Sequence, residues 1–355
     1  MSPISRVLVL YTGGTIGMRR NARGVYEPVP GWFAAQVEQQ PQLHDRTQPK
    51  FTTRPSATGR RIHYDVIAYE VPLDSANLDL SHWARFAKDI EAAYDDYDAF
   101  VVIHGTDTMA YTASGLAFML ENLGKPVILT GAQIPIEQLR NDALDNVLGA
   151  LGIAGHYAIP EVGLYFHHKL LRGCRATKVD AHGLDAFASP NLPPLVEVGV
   201  DVKVDWGLVR KPPTAPLSVH TKLDPHVAAL RLYPGITRRI LENFLAPPLS
   251  GLVLETFGAG NAPDRDDDLI GVLRDATDRG VVILNVSQCL KGRVKTSYAA
   301  GQALVDAGVV PGADMTPEAA LAKLAFLIGR GLPVDEVRAL AGRSLRGELT
   351  EDDEA

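Results

Sequence analysis

The segment Val101–Pro135 constrains the fold of this chain more than any other part of its sequence. An apolar run ends in His104, a polar turn leads into a helical pattern, and a second apolar run ends in the polar turn Thr130–Gln133. Uninterrupted apolar runs of this length are typical of strands buried on both faces, and their alternation with helices indicates a parallel sheet. Polar side chains therefore lie where strands lead into helices, which is where open α/β sheets bind their ligands.

Three other apolar runs end in the same kind of polar turn. The first leads into Gly13–Thr15, and two runs in the second half, at 251–256 and 281–285, lead into Gly258–Asn261 and Ser287–Cys289. Small, hydroxyl and amide side chains at strand ends suit a small polar substrate better than a phosphate. The sequence contains no GxxxxGK[ST] loop, and the turn after residue 256 lacks the third glycine of a dinucleotide-binding fingerprint.

Strand and helix patterns alternate through both halves of the chain. We predict two doubly wound α/β domains with mainly parallel sheets, a larger N-terminal one at 1–204 and a smaller C-terminal one at 225–355, joined by a proline-rich linker at 205–224. Strands are predicted near 6–11, 99–104, 126–130, 161–166, 227–232, 252–256 and 281–285. Helices are predicted near 80–94, 110–120, 143–153, 236–245, 267–279, 316–328 and 334–341.

Charge and composition indicate which binding partners and which cell compartment to expect for this protein. The formal net charge of −7 argues against a nucleic-acid-binding protein. The N-terminus lacks the long apolar core of a signal peptide, and no apolar stretch is long enough to cross a membrane. Only two cysteines are present, so a disulfide framework is not expected. We therefore expect a cytoplasmic protein without a nucleic-acid or membrane partner.

The polar turns contain a set of groups that could react together. Thr15 and Thr106 provide hydroxyls and Asp107 provides a carboxylate, although Asp107 could equally cap the helix that follows it. A threonine nucleophile needs a nearby base, and a desolvated lysine such as Lys178 can serve, whereas most lysines in loops are simply solvated. Tyr26 lies in the polar segment 18–29, which is expected to be either a mobile lid over a site or an ordinary surface loop.

The adjacent histidines His167 and His168 are of a residue type that often binds metal ions. Neighbouring residues of a strand point to opposite sides, and no cysteine or carboxylate stands at ligand spacing from this pair. We therefore expect no metal in this protein.

Two motifs, Tyr11–Gly17 and His104–Met109, resemble the two signatures of the bacterial-type L-asparaginases. The similarity extends over nearly the whole chain, through Leu129–Gln133, Arg172-Gly173 with Lys178, Asn191 with Pro194-Leu195, Gly258–Pro263, Gly312–Thr316 and Leu345–Leu349. The N-terminus and the segment Ser287–Cys289 are similar to those of the cytoplasmic type I branch rather than the periplasmic type II branch.

The resemblance implies hydrolysis of the side-chain amide of L-asparagine to L-aspartate and ammonia without a cofactor. Whether L-glutamine is also a weak substrate is left open. It implies that Thr15 is the nucleophile, that it forms an acyl-enzyme ester, and that Tyr26 assists it. It also implies a second catalytic group in which Lys178 is the base, acting through Thr106, while Asp107 orients the lysine. Which threonine attacks first is left open.

The resemblance further implies a substrate-binding set, which consists of Asp74, Ser75, Thr106, Asp107, Ala132 and Asn261. In the family, the counterpart of Asp107 receives the α-ammonium group and that of Ser75 the α-carboxylate. Asn261 corresponds to a residue supplied by a neighbouring subunit, which implies a homo-oligomer, either a dimer or a tetramer. Ala76 stands where the type I branch usually has a second serine, so weaker binding of the carboxylate is expected.

Two other functions are compatible with parts of this pattern. The amidase subunit of a tRNA-dependent amidotransferase shares both signatures, but it carries an extra N-terminal domain, whereas the first signature strand begins at Arg6 in this acidic chain. A non-catalytic amino-acid sensor could bind a small ligand in a similar fold. A sensor would lack the nucleophile or the base, and both are present here.

Overall fold

The computed structural model describes residues 4–49, 51–263, 267–295 and 299–351. The chain divides into two compact units, one of Met1–Ser189 with Pro193–Val219 and one of Pro190–Leu192 with His220–Ala355. Each unit contains a sheet of parallel or mainly parallel strands with helices, so the predicted α/β fold class is confirmed. Among the described residues, no helix has both the length and the apolar character needed to cross a bilayer.

The first unit is built around an eight-stranded sheet. The strands of the unit, inside and outside this sheet, are β1 (Ile4–Gly13), β2 (Met18–Arg20), β3 (Tyr26–Pro28), β4 (Arg61–Leu73), β5 (Ala99–Ile103), β6 (Leu120–Glu121), β7 (Val127–Thr130), β8 (Val162–Phe166), β9 (Lys169–Arg172), β10 (Thr177–Lys178), β11 (Phe187–Ala188), β12 (Val196–Val198), β13 (Val202–Val204) and β14 (Ser218–Val219). Its helices are α1 (Trp32–Gln39), α2 (Leu80–Ala92), α3 (Met109–Met119) and α4 (Ala143–His156), and single 3₁₀ turns lie at Thr15–Gly17, Ser75–Asn77 and Gly173–Arg175.

The strand order of the large sheet is β13-β12-β9-β8-β7-β5-β1-β4. The strands from β8 to β4 pair in parallel, whereas β9, β12 and β13 continue the sheet in antiparallel pairs. Because β1 has β4 on one side and β5 on the other, the chain reverses its direction of winding between β1 and β5. Such a switch point leaves a crevice at the carboxyl ends of the strands, where ligands bind.

The central strands are buried because they are apolar along their whole length. Every residue of β5, β7 and β8 is buried, as the uninterrupted apolar runs predict for strands covered on both faces. Alternate residues of β1, including Val7, Val9 and Tyr11, pack in one core with α1 and α4. In the register of this sheet, Tyr11 lies beside Ile103, so the turns that follow β1 and β5 are neighbours.

The second unit has a four-stranded parallel sheet in the order β15-β16-β17-β18. Its strands are β15 (Val227–Arg231), β16 (Gly251–Thr256), β17 (Val282–Ser287) and β18 (Val310–Pro311), and its helices are α5 (Arg238–Phe244), α6 (Asp267–Asp278), α7 (Ala299–Asp306), α8 (Pro317–Gly329) and α9 (Val334–Ala341). Thr316 caps α8 by accepting a hydrogen bond from the backbone of Ala319, and Pro317 occupies the first helical position.

Each strand and helix predicted from the sequence is confirmed, with ends that differ by a few residues. The long strand β4 was not predicted, because as an edge strand it alternates polar and apolar residues at 61–66 and contains no continuous apolar run like those of the central strands. The polar segment 18–29 is an ordered hairpin, in which β2 and β3 pair antiparallel. The assumption that His167 and His168 lie on a strand is wrong: they form the two-residue turn between β8 and β9, with φ of 44° and 66°.

Candidate active site

The turns after β1, β4 and β5 are packed backbone against backbone at one edge of the large sheet. Gly14, with φ of 89°, donates from its backbone to the carbonyl of Leu73 over 3.1 Å. A Cβ placed on Gly14 would lie 2.5 Å from the backbone of Gly105, a distance that no side chain could tolerate. Glycine is therefore required here for the close approach of the two turns that carry Thr15 and Thr106.

Thr15 begins the 3₁₀ turn directly after this contact. Its side chain is partly exposed, whereas Ile16 and Gly17 behind it are buried. Gly17 lies against the ring of Tyr11, so close that an added Cβ would meet the phenol oxygen at 2.1 Å. The buried residues Ile16 and Gly17 thus fix the turn to the core, while Thr15 remains accessible.

Thr106, Asp107 and Lys178 are in direct contact. The Nζ atom of Lys178 donates to Thr106 Oγ1 over 2.9 Å and to Asp107 Oδ1 over 2.8 Å. The Thr106 side chain is buried, the side chain of Lys178 is 21% exposed and that of Asp107 is 62% exposed. The lysine therefore reaches the threonine from the inside of the site, and the carboxylate holds it from the solvent side.

Gln133 is a further member of this group, and its side chain had no predicted role. The hydroxyl of Thr106 donates to Gln133 Oε1 over 3.2 Å, and Gln133 Nε2 donates to the carbonyl of Gly183 over 3.2 Å. Thr106 thus accepts a hydrogen bond from Lys178 and donates one to Gln133. The only sequence signal for this contact was an amide side chain in the polar turn after β7.

His104 supports the same turn from within the core. Burial lowers the pKa of His104 to about 4, although its contact with the Gly105 carbonyl acts in the opposite direction. The neutral ring donates from Nδ1 to that carbonyl over 2.6 Å and accepts at Nε2 from Thr112 Oγ1 over 2.9 Å. The histidine therefore links the Gly105–Thr106 turn to helix α3.

The residues expected at the carboxylate subsite lie in the turn after β4. Ser75 is buried, and its Oγ would be 2.5 Å from a Cβ on Gly105, so it packs directly on the turn after β5. Asp74 caps this turn by accepting from the backbone of Ala76 over 3.1 Å, and both residues are exposed. Ala132 is buried in the turn after β7.

Tyr26 lies on strand β3 of the hairpin that follows Thr15. It is half-buried, the guanidinium of Arg20 lies 5.0 Å from its ring centre, and its phenol oxygen accepts a hydrogen bond from Gln138 Nε2. Gln138 was not identified from the sequence, since the polar stretch around it has no distinguishing pattern.

Asn261 belongs to the second unit, in a tight turn after β16. Its backbone exchanges hydrogen bonds with that of Phe257, at 2.8 and 2.9 Å. Its Oδ1 atom is buried and has no hydrogen-bond partner within the described residues. The first unit therefore brings together the threonines, Asp107, Lys178 and the turn of Ser75, and Asn261 is part of a separate unit.

Comparison with known proteins identifies the chain independently of this geometry. Residues 6–210 match the family model for the asparaginase N-terminal domain, and residues 226–340 match the model for the glutaminase/asparaginase C-terminal domain. The chain is 46% identical to L-asparaginase 1 of Escherichia coli strain K12, over 98% of both chains. The crystal structure of L-asparaginase I from Vibrio cholerae is similar with a TM-score of 0.88 and 41% identity, over 98% of this chain and 100% of that one.

A relative with a different name is equally similar. The chain is 48% identical to the 60 kDa lysophospholipase of Mus musculus over 99% of its own length, but it spans only 63% of that protein. The two domain models together account for most of the sequence, and they agree with the resemblance seen in the two signature motifs. The chain belongs to the asparaginase family.

Proposed function

We propose that this protein hydrolyses the side-chain amide of L-asparagine to L-aspartate and ammonia through an acyl-enzyme ester on Thr15. L-Glutamine is proposed as a weaker substrate, and no cofactor takes part. The observation that carries the proposal is the contact of Lys178 with both Thr106 and Asp107. The turn that carries Thr106 and Asp107 packs against the turn that carries Thr15. A base, a hydroxyl relay and an accessible nucleophile are the groups that amide hydrolysis needs.

In the proposed first half-reaction, the hydroxyl oxygen of Thr15 attacks the side-chain amide carbon of the substrate. Tyr26 assists removal of the hydroxyl proton, and backbone amides of the turn near Thr106 stabilise the oxyanion. The C–N bond then breaks, and the nitrogen leaves as ammonia with the hydrogen of the Tyr26 phenol, which takes the proton of Thr15 in exchange. The product of this half-reaction is an aspartyl ester of Thr15.

In the second half-reaction, water attacks the ester carbon. For this step the Thr106 hydroxyl turns from Gln133 to the uncharged amine of Lys178, gives its proton to the lysine and takes up the first proton of the water. The Thr15 oxygen leaves and takes up the second water proton, so that the product is the carboxylate of aspartate. The hydrogen bond of 2.9 Å between Lys178 and Thr106 provides the path for the transfer to the lysine. Asp107 stabilises the lysine after it gains the proton and receives the α-ammonium group of the substrate.

The proposed substrate site combines both termini of the zwitterion. Ser75 and its turn receive the α-carboxylate, with Asp74 holding the turn in shape. Ala132 bounds the site after β7, and Asn261 reaches it from a neighbouring subunit of a homodimer or homotetramer.

We further propose a cytoplasmic location for this assembly, because its two cysteines are free thiols. Sedimentation of the purified protein tests the assembly, because a monomer that is fully active would exclude sharing of Asn261.

Rapid-quench mass spectrometry with L-asparagine tests the proposed intermediate. An aspartyl adduct should accumulate on the intact protein, and peptide mapping should place it on Thr15. Thr15→Ala should lose the adduct and several orders of magnitude in kcat while keeping the thermal unfolding curve of the wild type. An adduct on Thr106 instead would assign the nucleophile to the other threonine.

Ammonia release and lysophospholipid cleavage, measured side by side, separate the two activities named among the relatives. The second activity is a candidate because of the 48% identity to a lysophospholipase. We favour the amide because the site residues are small and polar and accommodate a zwitterion. Fatty-acid release from a lysophospholipid without ammonia release from L-asparagine would reverse this choice.

A further inference from the structure

The hairpin of β2 and β3 is held by the loop at 134–141 through side chains that the proposed mechanism does not use. Gln138 donates from Nε2 to the phenol oxygen of Tyr26, and Glu137 lies 4.0 Å from the guanidinium of Arg19. The hairpin and this loop are separated by more than a hundred residues of sequence. The contacts therefore couple two elements of the first unit that are remote along the chain.

The loop at 134–141 is itself fixed to the sheet and to helix α4. Asp142 accepts backbone hydrogen bonds from Gln133 over 3.0 Å and from Ile134 over 2.9 Å. The side chain of Asn141 donates to the carbonyl of Gln138 over 2.6 Å. Gln138 therefore extends from a rigid support, which is the condition for a residue that positions another.

The contacts differ in how strongly they hold the hairpin. The charges of Arg19 and Glu137 are at the limit of an ion pair, with exposed fractions of 54% and 34%, and such pairs contribute little. The hydrogen bond from Gln138 to Tyr26 is partly buried, so competition from water is weaker. Of the two contacts with this loop, the hydrogen bond from Gln138 is therefore the one that holds the tyrosine more strongly.

The direction of this hydrogen bond matters for the chemistry. Because the amide of Gln138 donates, the phenol oxygen of Tyr26 is an acceptor, and its O–H group stays available for a different partner. An acceptor at position 138 would instead capture the phenol hydrogen. The amide therefore holds the tyrosine in place without taking the hydrogen that a catalytic tyrosine must share.

We propose that Gln138 is a positioning residue, which docks the β2–β3 hairpin and leaves the hydroxyl hydrogen of Tyr26 free to act at Thr15. The catalytic part of this inference rests on the proposed function, in which Tyr26 assists Thr15. The docking part concerns the protein without substrate and is tested separately.

Hydrogen exchange measured by mass spectrometry tests docking in the absence of substrate. Gln138→Leu should accelerate amide exchange across residues 18–28, whereas Gln138→Glu, which still bonds to the phenol, should keep the wild-type rate. Glu137→Gln is the matched control on the same loop and should leave exchange and kcat unchanged. Unaltered exchange in Gln138→Leu would overturn the docking role, whatever substrate the enzyme uses.

Steady-state kinetics with L-asparagine test the catalytic part. Both Gln138→Leu and Gln138→Glu should lower kcat by about five- to tenfold, the first because Tyr26 loses its hydrogen bond and the second because the carboxylate takes the phenol hydrogen. Thermal unfolding should confirm that both variants are folded. Wild-type kcat in the folded Gln138→Glu variant would overturn the claim about the phenol hydrogen. If the wild-type enzyme itself released no ammonia, the proposed function would fail while the exchange result still decided docking.

A double-mutant cycle distinguishes action through Tyr26 from a general effect on structure. Tyr26→Phe removes the oxygen that Gln138 contacts, so adding Gln138→Leu to this variant should lower kcat no further. Losses that multiply in the double variant would show that Gln138 acts by another route, and would overturn its assignment as the residue that positions Tyr26.

Discussion

The ammonium nitrogen of Lys178 lies 2.9 Å from the hydroxyl oxygen of Thr106, although the two residues are 72 positions apart in the sequence. The hydroxyl is a donor to Gln133 in the same arrangement. The Thr106 hydroxyl is therefore held between a donor, Lys178, and an acceptor, Gln133, which both come from distant parts of the sequence.

Lys178→Met should abolish turnover and leave substrate binding intact. Removing a positioned base lowers kcat by roughly 10²–10⁴-fold, and methionine retains most of the length of the lysine chain. Ammonia release gives kcat, and calorimetry with L-asparagine gives binding. Lys178→Arg, which keeps the charge beside Asp107 but stays protonated and so cannot accept a proton, is the control and should be equally slow. A fast arginine variant would show that charge, rather than proton transfer, is what the site requires.

Ala76→Ser should tighten binding of L-asparagine. The residue is exposed beside Ser75 in the turn after β4, and a hydroxyl there adds a donor for the α-carboxylate. One additional hydrogen bond corresponds to a fall in KM of about two- to tenfold with little change in kcat. Ala76→Gly changes the side chain without adding a donor and should not lower KM. An unchanged KM in the serine variant would place the carboxylate elsewhere.

His104 should make the protein less stable as the pH falls from 6.5 towards 4. Burial lowers the pKa of His104 from 6.5 to about 4, so in this range the unfolded chain binds a proton that the folded protein does not. The stabilisation is complete above pH 6.5, and roughly 3 kcal/mol of the free energy of unfolding is lost by pH 4.

Urea unfolding of the wild type and of His104→Gln at several pH values isolates this contribution. Glutamine can keep polar contacts with Gly105 and Thr112 but does not titrate. The difference between the two proteins should shrink as the pH falls through this window. Parallel curves would show that His104 is not the titrating group.

Glu348→Gln should destabilise the second unit strongly. Glu348 and Lys323 are both fully buried, with 2.6 Å between Oε1 and Nζ. Burial alone would raise the pKa of Glu348, but Lys323 and the backbone amides of Leu345 and Arg346 hold it below its usual value. Neutralising the carboxyl leaves a buried ammonium without its counter-charge, at a cost of about 3–5 kcal/mol.

The free energy of unfolding in urea measures this effect. Glu242→Gln is the matched control, because the pair of Arg238 and Glu242 has the same distance of 2.6 Å but both side chains are about half exposed. That substitution should cost less than about 0.5 kcal/mol. Similar losses in the two variants would show that burial does not decide the strength of the Lys323 pair.

The elements were predictable wherever a single local property determines them. Strand β5 is apolar from end to end, and the turn after it carries the polar residues that the sheet presents to a ligand. Strand β4 has a different local signal, which a search for continuous apolar runs does not find. Arg61, His63 and Asp65 alternate with Ile62, Tyr64 and Val66, the pattern of an edge strand that is covered on one side.

The site was predictable only in part from local sequence. Thr15 and Thr106 follow apolar runs, so their place at a sheet edge could be inferred. Lys178 was a candidate base from its residue type, but its contact with Thr106 and Asp107 was expected because of the family resemblance, since a long connection through β8 and β9 brings it there. Gln138 contacts Tyr26 through a loop that has no periodicity at all, and nothing in the order of its residues distinguishes it from a surface turn.

The main chain at Gly14 lies directly against that of Gly105, so the main chain fixes the distance between the turns that carry Thr15 and Thr106. With no side chain between these turns, no rotamer can change to absorb an added atom. A methyl group on Gly14 would push these two turns apart, whereas a methyl group on Gly105 would meet the side chain of Ser75 first. The separation of the two reactive turns is therefore decided at Gly14, by the absence of a single carbon atom.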